Sequence, residues 1–151
     1  MNFPNSVKSG IRNWVNFGGR ASRSEYWWFF LFNVVAQNIF QNISAVLGSL
    51  VSIGLFIPVL SLQFRRLHDV GRSAIWLIWL YASIAACFGF IYQENQSIVN
   101  FDSEEYFNRG MQLSDLLFLS FGCAVLVNLV FWLKRSDPEM NQYGPPAPPM
   151  H

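Results

Sequence analysis

The densest run of chemically capable side chains is Arg65-Arg66-Leu67-His68-Asp69-Val70-Gly71-Arg72-Ser73. Arginine suits phosphate, because its planar guanidinium fork pairs bidentately with two anionic oxygens. Arg20 and Arg23 stand just ahead of the first long apolar stretch and can add to the same surface. The pattern predicts an anion site in which Arg20, Arg23, Arg65, Arg66 and Arg72 grip a lipid headgroup. Glu25 and Asp69 would act as counter-charges that hold the guanidinium groups in place, with His68 and Ser73 in support. The same residue types also build a plain helix-connecting turn, with Arg for orientation, Gly71 for a bend and Ser73 as a cap.

Other chemistry has less to work with. His68 beside Asp69 suggests a catalytic dyad, but neighbours on a helix project about 100° apart and do not face each other. There is no Ser or Cys nucleophile motif, no Gly-rich phosphate loop and no HExxH. His151 is the last residue, which leaves one internal His, so neither a metal nor a cofactor is expected. Cys87 and Cys123 read as buried small hydrophobes rather than a redox pair. A net charge of +1 offers no electrostatic footprint for nucleic acid.

The elements that must position these residues follow from where charge is missing. Of 151 residues, 52% are apolar, 17% aromatic and only 13% charged, against about 25% charged in a soluble domain. Between Glu25 and Arg65 lie 39 residues without a charge, between Arg72 and Glu94 lie 21, and between Asp115 and Lys134 lie 18. About 20 apolar residues cross a bilayer core as a helix, so the second and third gaps each fit one crossing. The first gap would make a helix of about 58 Å and must fold back. Gln37, Asn38, Gln41 and Asn42, followed by Ser44, Gly48 and Ser49, mark the place. The fold class expected is all-α: a four-transmembrane-helix bundle over 19–135, with helices near 24–43, 47–66, 73–93 and 115–134. A soluble helical domain would show polar faces, and Ile75-Trp76-Leu77-Ile78-Trp79-Leu80-Tyr81 shows none.

Four crossings place nine of the ten Lys and Arg residues on one side, with only Arg109 on the other. Cytoplasmic loops keep the basic residues, so both termini are expected in the cytoplasm and an acidic loop from Glu94 to Asp115 outside. Ser22 and Glu25 have the spacing of a capping box, and Ser73 and either Ser114 or Asp115 are the expected caps of the third and fourth helices. Tyr26, Trp27, Trp28, Trp76 and Trp132 fall at the cytoplasmic headgroup level, where amphipathic rings are favoured. Pro58, with Gly54 four residues earlier, predicts a kink in the second helix. Residues 1–18 read as an interfacial segment: Val7, Ile11, Trp14 and Val15 recur at helical spacing, with Lys8 and Arg12 elsewhere on the turn. Residues 136–151 read as an extended Pro-rich cytoplasmic tail.

Three functions fit these features. The first is a non-enzymatic membrane protein whose cytoplasmic Arg-rich surface contacts anionic lipid or a protein partner. Small residues at Ala82, Ala86 and at Ala85, Gly89 would also let the third helix pack closely, within the chain or against a second copy. The second is a small transporter or channel component, with a polar path through Asn33, Gln37, Gln41 and Asn128. The lack of any ionisable side chain within the spans counts against ion-coupled transport. The third is a membrane enzyme with His68 in a cytoplasmic pocket.

Gly19-Arg20-Ala21-Ser22 and Gly71-Arg72-Ser73-Ala74 each precede an aromatic helix start. Arg65-Arg66-Leu67-His68-Asp69 and Lys134-Arg135-Ser136-Asp137 each follow a span. The bundle thus reads either as two repeated helix hairpins of one polarity or as boundaries made alike by the positive-inside bias. The stretch Gly19-Arg20-Ala21-Ser22-Arg23-Ser24-Glu25-Tyr26-Trp27-Trp28, the Arg65–Ser73 run and Asn141-Gln142-Tyr143-Gly144-Pro145 together resemble domain of unknown function 805. That likeness implies a bacterial inner-membrane protein. It implies no activity, substrate or catalytic residue.

Overall fold

A computed structural model describes residues 2–97 and 113–147. Ser22 is extended (φ −69°, ψ 159°), and its Oγ accepts a hydrogen bond of 3.2 Å from the Glu25 amide, which starts a helix over Arg23–Ile43 (α2). Ser44 alone (φ −163°, ψ 136°) ends α2 and begins the next helix, Ala45–Asp69 (α3). So abrupt a reversal needs close helix approach at its base. Gly48 supplies it, because a Cβ there would lie 2.8 Å from the Gln41 Cα. The α3 helix continues through the buried Pro58.

α3 runs three residues beyond the expected 66, taking Leu67, His68 and Asp69 into its last turn. The expected connecting turn is therefore mostly helix. Its end is a Schellman arrangement, with the Arg72 amide bonded to the Leu67 carbonyl (2.9 Å) and the Gly71 amide to that of His68 (3.1 Å). Gly71 has the left-handed φ of 71° that this closure requires. The next helix begins at Ile75, which makes Ala74 rather than Ser73 the residue ahead of it.

Ahead of this hairpin lies a short helix, Phe3–Arg12 (α1), capped by Asn2, whose Oδ1 accepts from the Asn5 amide at 3.3 Å. Its buried positions are Ser6 and Gly10. A Cβ on Gly10 would sit 2.2 Å from the Phe29 ring, so the backbone of α1 rests directly on that side chain of α2. The core of this part is Ala21, Tyr26, Phe29 and Leu62, with Trp27, Phe32, Val59 and Trp132 packed around it. Tyr26 is buried within the protein, stacked on Trp132 at 5.3 Å between ring centres.

Two further helices follow, Ile75–Ser97 (α4) and Leu113–Leu133 (α5). The chain divides into two compact units, Met1–Ala74 with Phe131–His151, and Ile75–Val130. Within the second, α4 and α5 pair antiparallel: Trp79 Nε1 donates to Ser120 Oγ (3.3 Å) and the Cys87 thiol to the Leu117 carbonyl (3.6 Å). Asn128 Nδ2 donates to the carbonyls of Ala124 (2.9 Å) and Trp76 (3.3 Å), binding one helix to the other. Cys87 is buried as expected, whereas Cys123 is exposed, and both are free thiols. Residues 98–112, most of the acidic loop, and His151 lie outside the described residues.

All five helices among the described residues are α-helical, and three are long and apolar enough to cross a membrane: α3, α4 over Ile75–Tyr92 and α5 over Asp115–Leu133. α2 has the length, at 21 residues, but not the composition. Arg23 and Glu25 occupy its first turn, and five amide side chains line its second half from Asn33 onward. Four crossings were expected because the first charge-free gap is too long for one helix, and in sequence its amides mark the fold-back rather than a lower apolar character for α2.

Two glycines of α3 separate packing from propensity. Gly48→Ala should destabilise the protein by about 1–3 kcal/mol, the usual cost of overpacking. At Gly54 a Cβ meets nothing within 4 Å. Gly54→Ala should therefore raise stability, by up to about 1 kcal/mol of helix propensity. Thermal unfolding of the two variants in one detergent would check the opposite signs.

Candidate functional site

The candidate residues converge on the charged end of the α2–α3 hairpin. Asp69, the last helical residue of α3, has both carboxylate oxygens taken by arginine. Arg20 Nε approaches Oδ1 at 3.0 Å, Arg66 Nη1 binds Oδ2, and all three side chains are fully buried. Arg66 and Asp69 share a face because they are three apart on the helix. Arg20 comes from the loop before α2, held there by the Ala21 amide bonded to the Arg65 carbonyl at 3.0 Å.

A second pair lies beside the first. Arg65 Nη1 meets Glu25 Oε1 at 3.1 Å, and Ser9 Oγ of α1 donates to the same oxygen at 2.8 Å. The Glu25 side chain thus bonds across the hairpin to Arg65 and back to α1. Arg65 Nε and Nη2 are buried without a partner among the described residues.

Most of the remaining guanidinium donors turn to backbone carbonyls. Arg66 Nε and Nη2 donate to the Trp132 carbonyl (3.4 and 3.3 Å), and Nη2 also donates to that of Lys134. Arg23 Nη1 reaches the Leu133 carbonyl at 3.5 Å. Arg20 donates from Nη1 to the carbonyls of Glu139 (2.7 Å) and Gly144 (3.4 Å), and from Nη2 to those of Asp137 and Asp69. The Arg72 guanidinium stands 5.6 Å from the Phe131 ring centre. Four of the five candidate arginines therefore hold the stretch from Phe131 to Gly144. The carbonyls at a helix C-terminus lack intrahelical partners and carry partial negative charge, so cations are favoured there.

His68 and Asp69 do not face each other. The imidazole stacks on Tyr143, with ring centres 3.9 Å apart and planes within 7°, and bonds to the Gly19 backbone. Asn141 Nδ2 donates to the His68 carbonyl (3.0 Å), and the Asp137 amide to that of Asp69 (3.1 Å). Chain from Asp137 to Gly144 is thus packed on the end of α3 rather than extended as a loose tail. Sequence reading missed Ser9, Tyr143 and these tail carbonyls; the only signal was the Asn141–Pro145 motif. Among the described residues no cluster of His, Cys, Asp and Glu could hold a metal ion.

Arg23, Arg72 and Ser73 remain exposed. Arg23 borders an open cleft of about 450 Å³ with Ser22, Ser24, Trp27, Leu133 and Ser136. Among the described residues no acidic side chain lines it.

Residues 14–145 match the model of a family described as "protein of unknown function (DUF805)". The chain belongs to this family. Inner membrane protein YhaI of Escherichia coli K12 is 40% identical over 80 residues, covering 48% of this chain and 68% of that protein. Inner membrane protein YhaH of the same strain is 37% identical over 79 residues, covering 45% of this chain and 65% of that protein, just under two thirds. No solved structure matches. The DUF805 match takes in all five candidate arginines and the tail through Gly144, and it begins after α1. The chain is a membrane protein of an uncharacterised family.

Asp69→Asn leaves two buried guanidinium groups without their carboxylate. It should cost about 3–5 kcal/mol, as breaking a buried ion pair does. Arg72→Gln, on the surface, should stay within about 0.5 kcal/mol. Arg20→Lys keeps the charge but not the planar fork that reaches four carbonyls. It should free residues 137–144, seen as faster C-terminal cleavage in limited proteolysis.

Proposed function

We propose that this chain is a non-enzymatic protein of the bacterial inner membrane that crosses four times, through α2, α3, α4 and α5. Both termini lie in the cytoplasm, and the exposed basic residues at that face bind the phosphate of an anionic lipid. The observation that carries the reading is the division among the arginines. Arg20, Arg65 and Arg66 are buried against protein groups. Arg23 and Arg72, with Lys134 and Arg135, remain exposed. Arg23 supplies charge to the cleft, Ser22 and Ser24 supply hydroxyls, and Trp27 and Leu133 supply an apolar wall. A cleft of this volume suits a small ligand group. α2 crosses despite its amides because Asn33 and Gln37 bond to each other at 3.0 Å, and Asn38 and Asn42 donate to carbonyls one turn back.

A second reading, a small transporter or channel component, draws on a different cavity. About 220 Å³ is lined by Gln37, Asn38, Gln41 and Ser52 near the opposite end of the hairpin. Its lining among the described residues is amides and a hydroxyl, without charge. The enzyme reading has less to stand on, because His68 is engaged by Tyr143 and Asp69 by two arginines.

Native mass spectrometry of protein released from its own membrane tests the lipid reading. Wild type should retain phosphatidylglycerol or cardiolipin, and the Arg23→Gln, Arg72→Gln double variant should lose most of that adduct while keeping its melting temperature. Equal adducts on both, or zwitterionic lipid alone, would count against it.

A further inference from the structure

We infer that α1 is a membrane-parallel anchor, laid across the α2–α3 hairpin so that Ile11, Trp14 and Val15 enter the anionic leaflet. The inference needs the membrane reading of the hairpin, but not the Arg23 cleft. Three contacts fix where α1 sits. Ser9 bonds to Glu25 on α2, Gly10 rests on the Phe29 ring, and Ser61 Oγ of α3 donates to the Asn13 carbonyl at 2.8 Å. Glu25 pairs with Arg65, and Phe29 and Ser61 each lie one turn further along the hairpin from those two. The segment from Ser9 to Asn13 therefore passes from α2 to α3 within one helical turn of the hairpin's depth. That turn is where the charged end gives way to the 39 charge-free residues, which is the boundary between headgroups and hydrocarbon.

The way α1 spends its side chains argues for a lipid surface. A helix of a soluble domain turns its apolar residues toward the core. Here the buried positions are Ser6 and Gly10, while Ile11 is 50% exposed, and Trp14 and Val15 just beyond the helix are 49% and 55% exposed. Phe3 is exposed too and meets the exposed Trp28 of α2 edge-on at 5.9 Å. The apolar surface of α1 is thereby continuous with that of a membrane-spanning helix. Charge selects the kind of surface. Residues 1–24 contain no Asp or Glu, and Lys8 and Arg12 are exposed beside the apolar group. Basic residues at this depth are attracted to an anionic leaflet, while aromatic and aliphatic side chains enter the acyl boundary. The missing side chain at Gly10 has a matching purpose: it lets α1 lie flush on Phe29, so that its apolar residues stand at a set depth. The DUF805 match starts at residue 14, so α1 lies ahead of the matched region.

The test uses the full chain in nanodiscs of phosphatidylglycerol, with Cys87→Ala and Cys123→Ala as background. Nitroxides are placed at Ile11→Cys and, separately, at Lys8→Cys, both exposed sites. Collision with oxygen, which partitions into lipid, is compared with collision with a water-soluble nickel chelate. The Ile11 nitroxide should favour oxygen several-fold, and the Lys8 nitroxide should favour nickel. Nickel preference at both sites places α1 in water and overturns the proposal. Protection of Ile11 from both agents means that protein covers it, a second copy of this chain or another partner, and overturns it equally.

Discussion

A carboxylate buried away from water must be neutralised, and the charged end of this molecule is organised around that constraint at Asp69. Two guanidinium groups share its two oxygens. One comes from the preceding turn of the same helix and the other from a loop 49 residues earlier. Because the Arg20 fork is planar, fixing one edge on Asp69 fixes the other edge as well. That second edge faces the carbonyls of Asp137, Glu139 and Gly144. One buried charge thereby sets the position of three chain segments: the approach to α2, the end of α3 and the chain beyond α5.

Helix ends explain why arginine is needed in such numbers. α3 leaves its last carbonyls unpartnered by its own ladder, and each gains bonds from elsewhere. Leu67 accepts from Val70 and Arg72, His68 from Gly71 and Asn141, and Asp69 from Asp137 and Arg20. α5 is finished by Arg66 and Arg23. Lysine could balance charge at such an end, but it could not donate to Asp69 and to several separate carbonyls from one rigid plane. The surplus positive charge of Arg20, Arg65 and Arg66 over Glu25 and Asp69 is spread over carbonyl dipoles.

Much of the helical layout was legible in the sequence, since charge is costly in hydrocarbon and its absence leaves long gaps. The start of α2 followed from Ser22 three residues before Glu25, and the reversal near Ser44 from the length of the first gap. The errors share one cause, which is that polarity was read as exposure. Asp69 looked like part of a connecting turn and is the buried last residue of α3; the pairing of Glu25 and Asp69 with arginine was legible, but the burial of Arg65, Arg66 and Asp69 was not. Ser6 and Gly10 carry no hydrophobic signal and yet form the packing face of α1, since close approach selects for small size. The tail looked loose for its prolines. Its Asn141–Gly144 stretch is held through backbone carbonyls and one tyrosine ring, and a carbonyl is present at every residue whatever its type.

On the four-crossing reading proposed above, the arginines would also have a role in time as well as in space. Orientation in the membrane is chosen during insertion, when Arg20, Arg65 and Arg66 are still hydrated charges next to apolar stretches. At that stage they count toward the basic side no less than Arg23 or Arg72 does. Once α2 and α3 close on each other, their charges are taken up by Glu25, Asp69 and the helix-end carbonyls. An arginine that sets topology early can then tie segments together later, with no external ligand required. This bears on how such clusters should be read in any membrane chain. A basic run at the end of a span is not by itself a ligand site: here Arg20 and Arg66 are taken up by Asp69 and by backbone carbonyls, and even the exposed Arg23 reaches the Leu133 carbonyl.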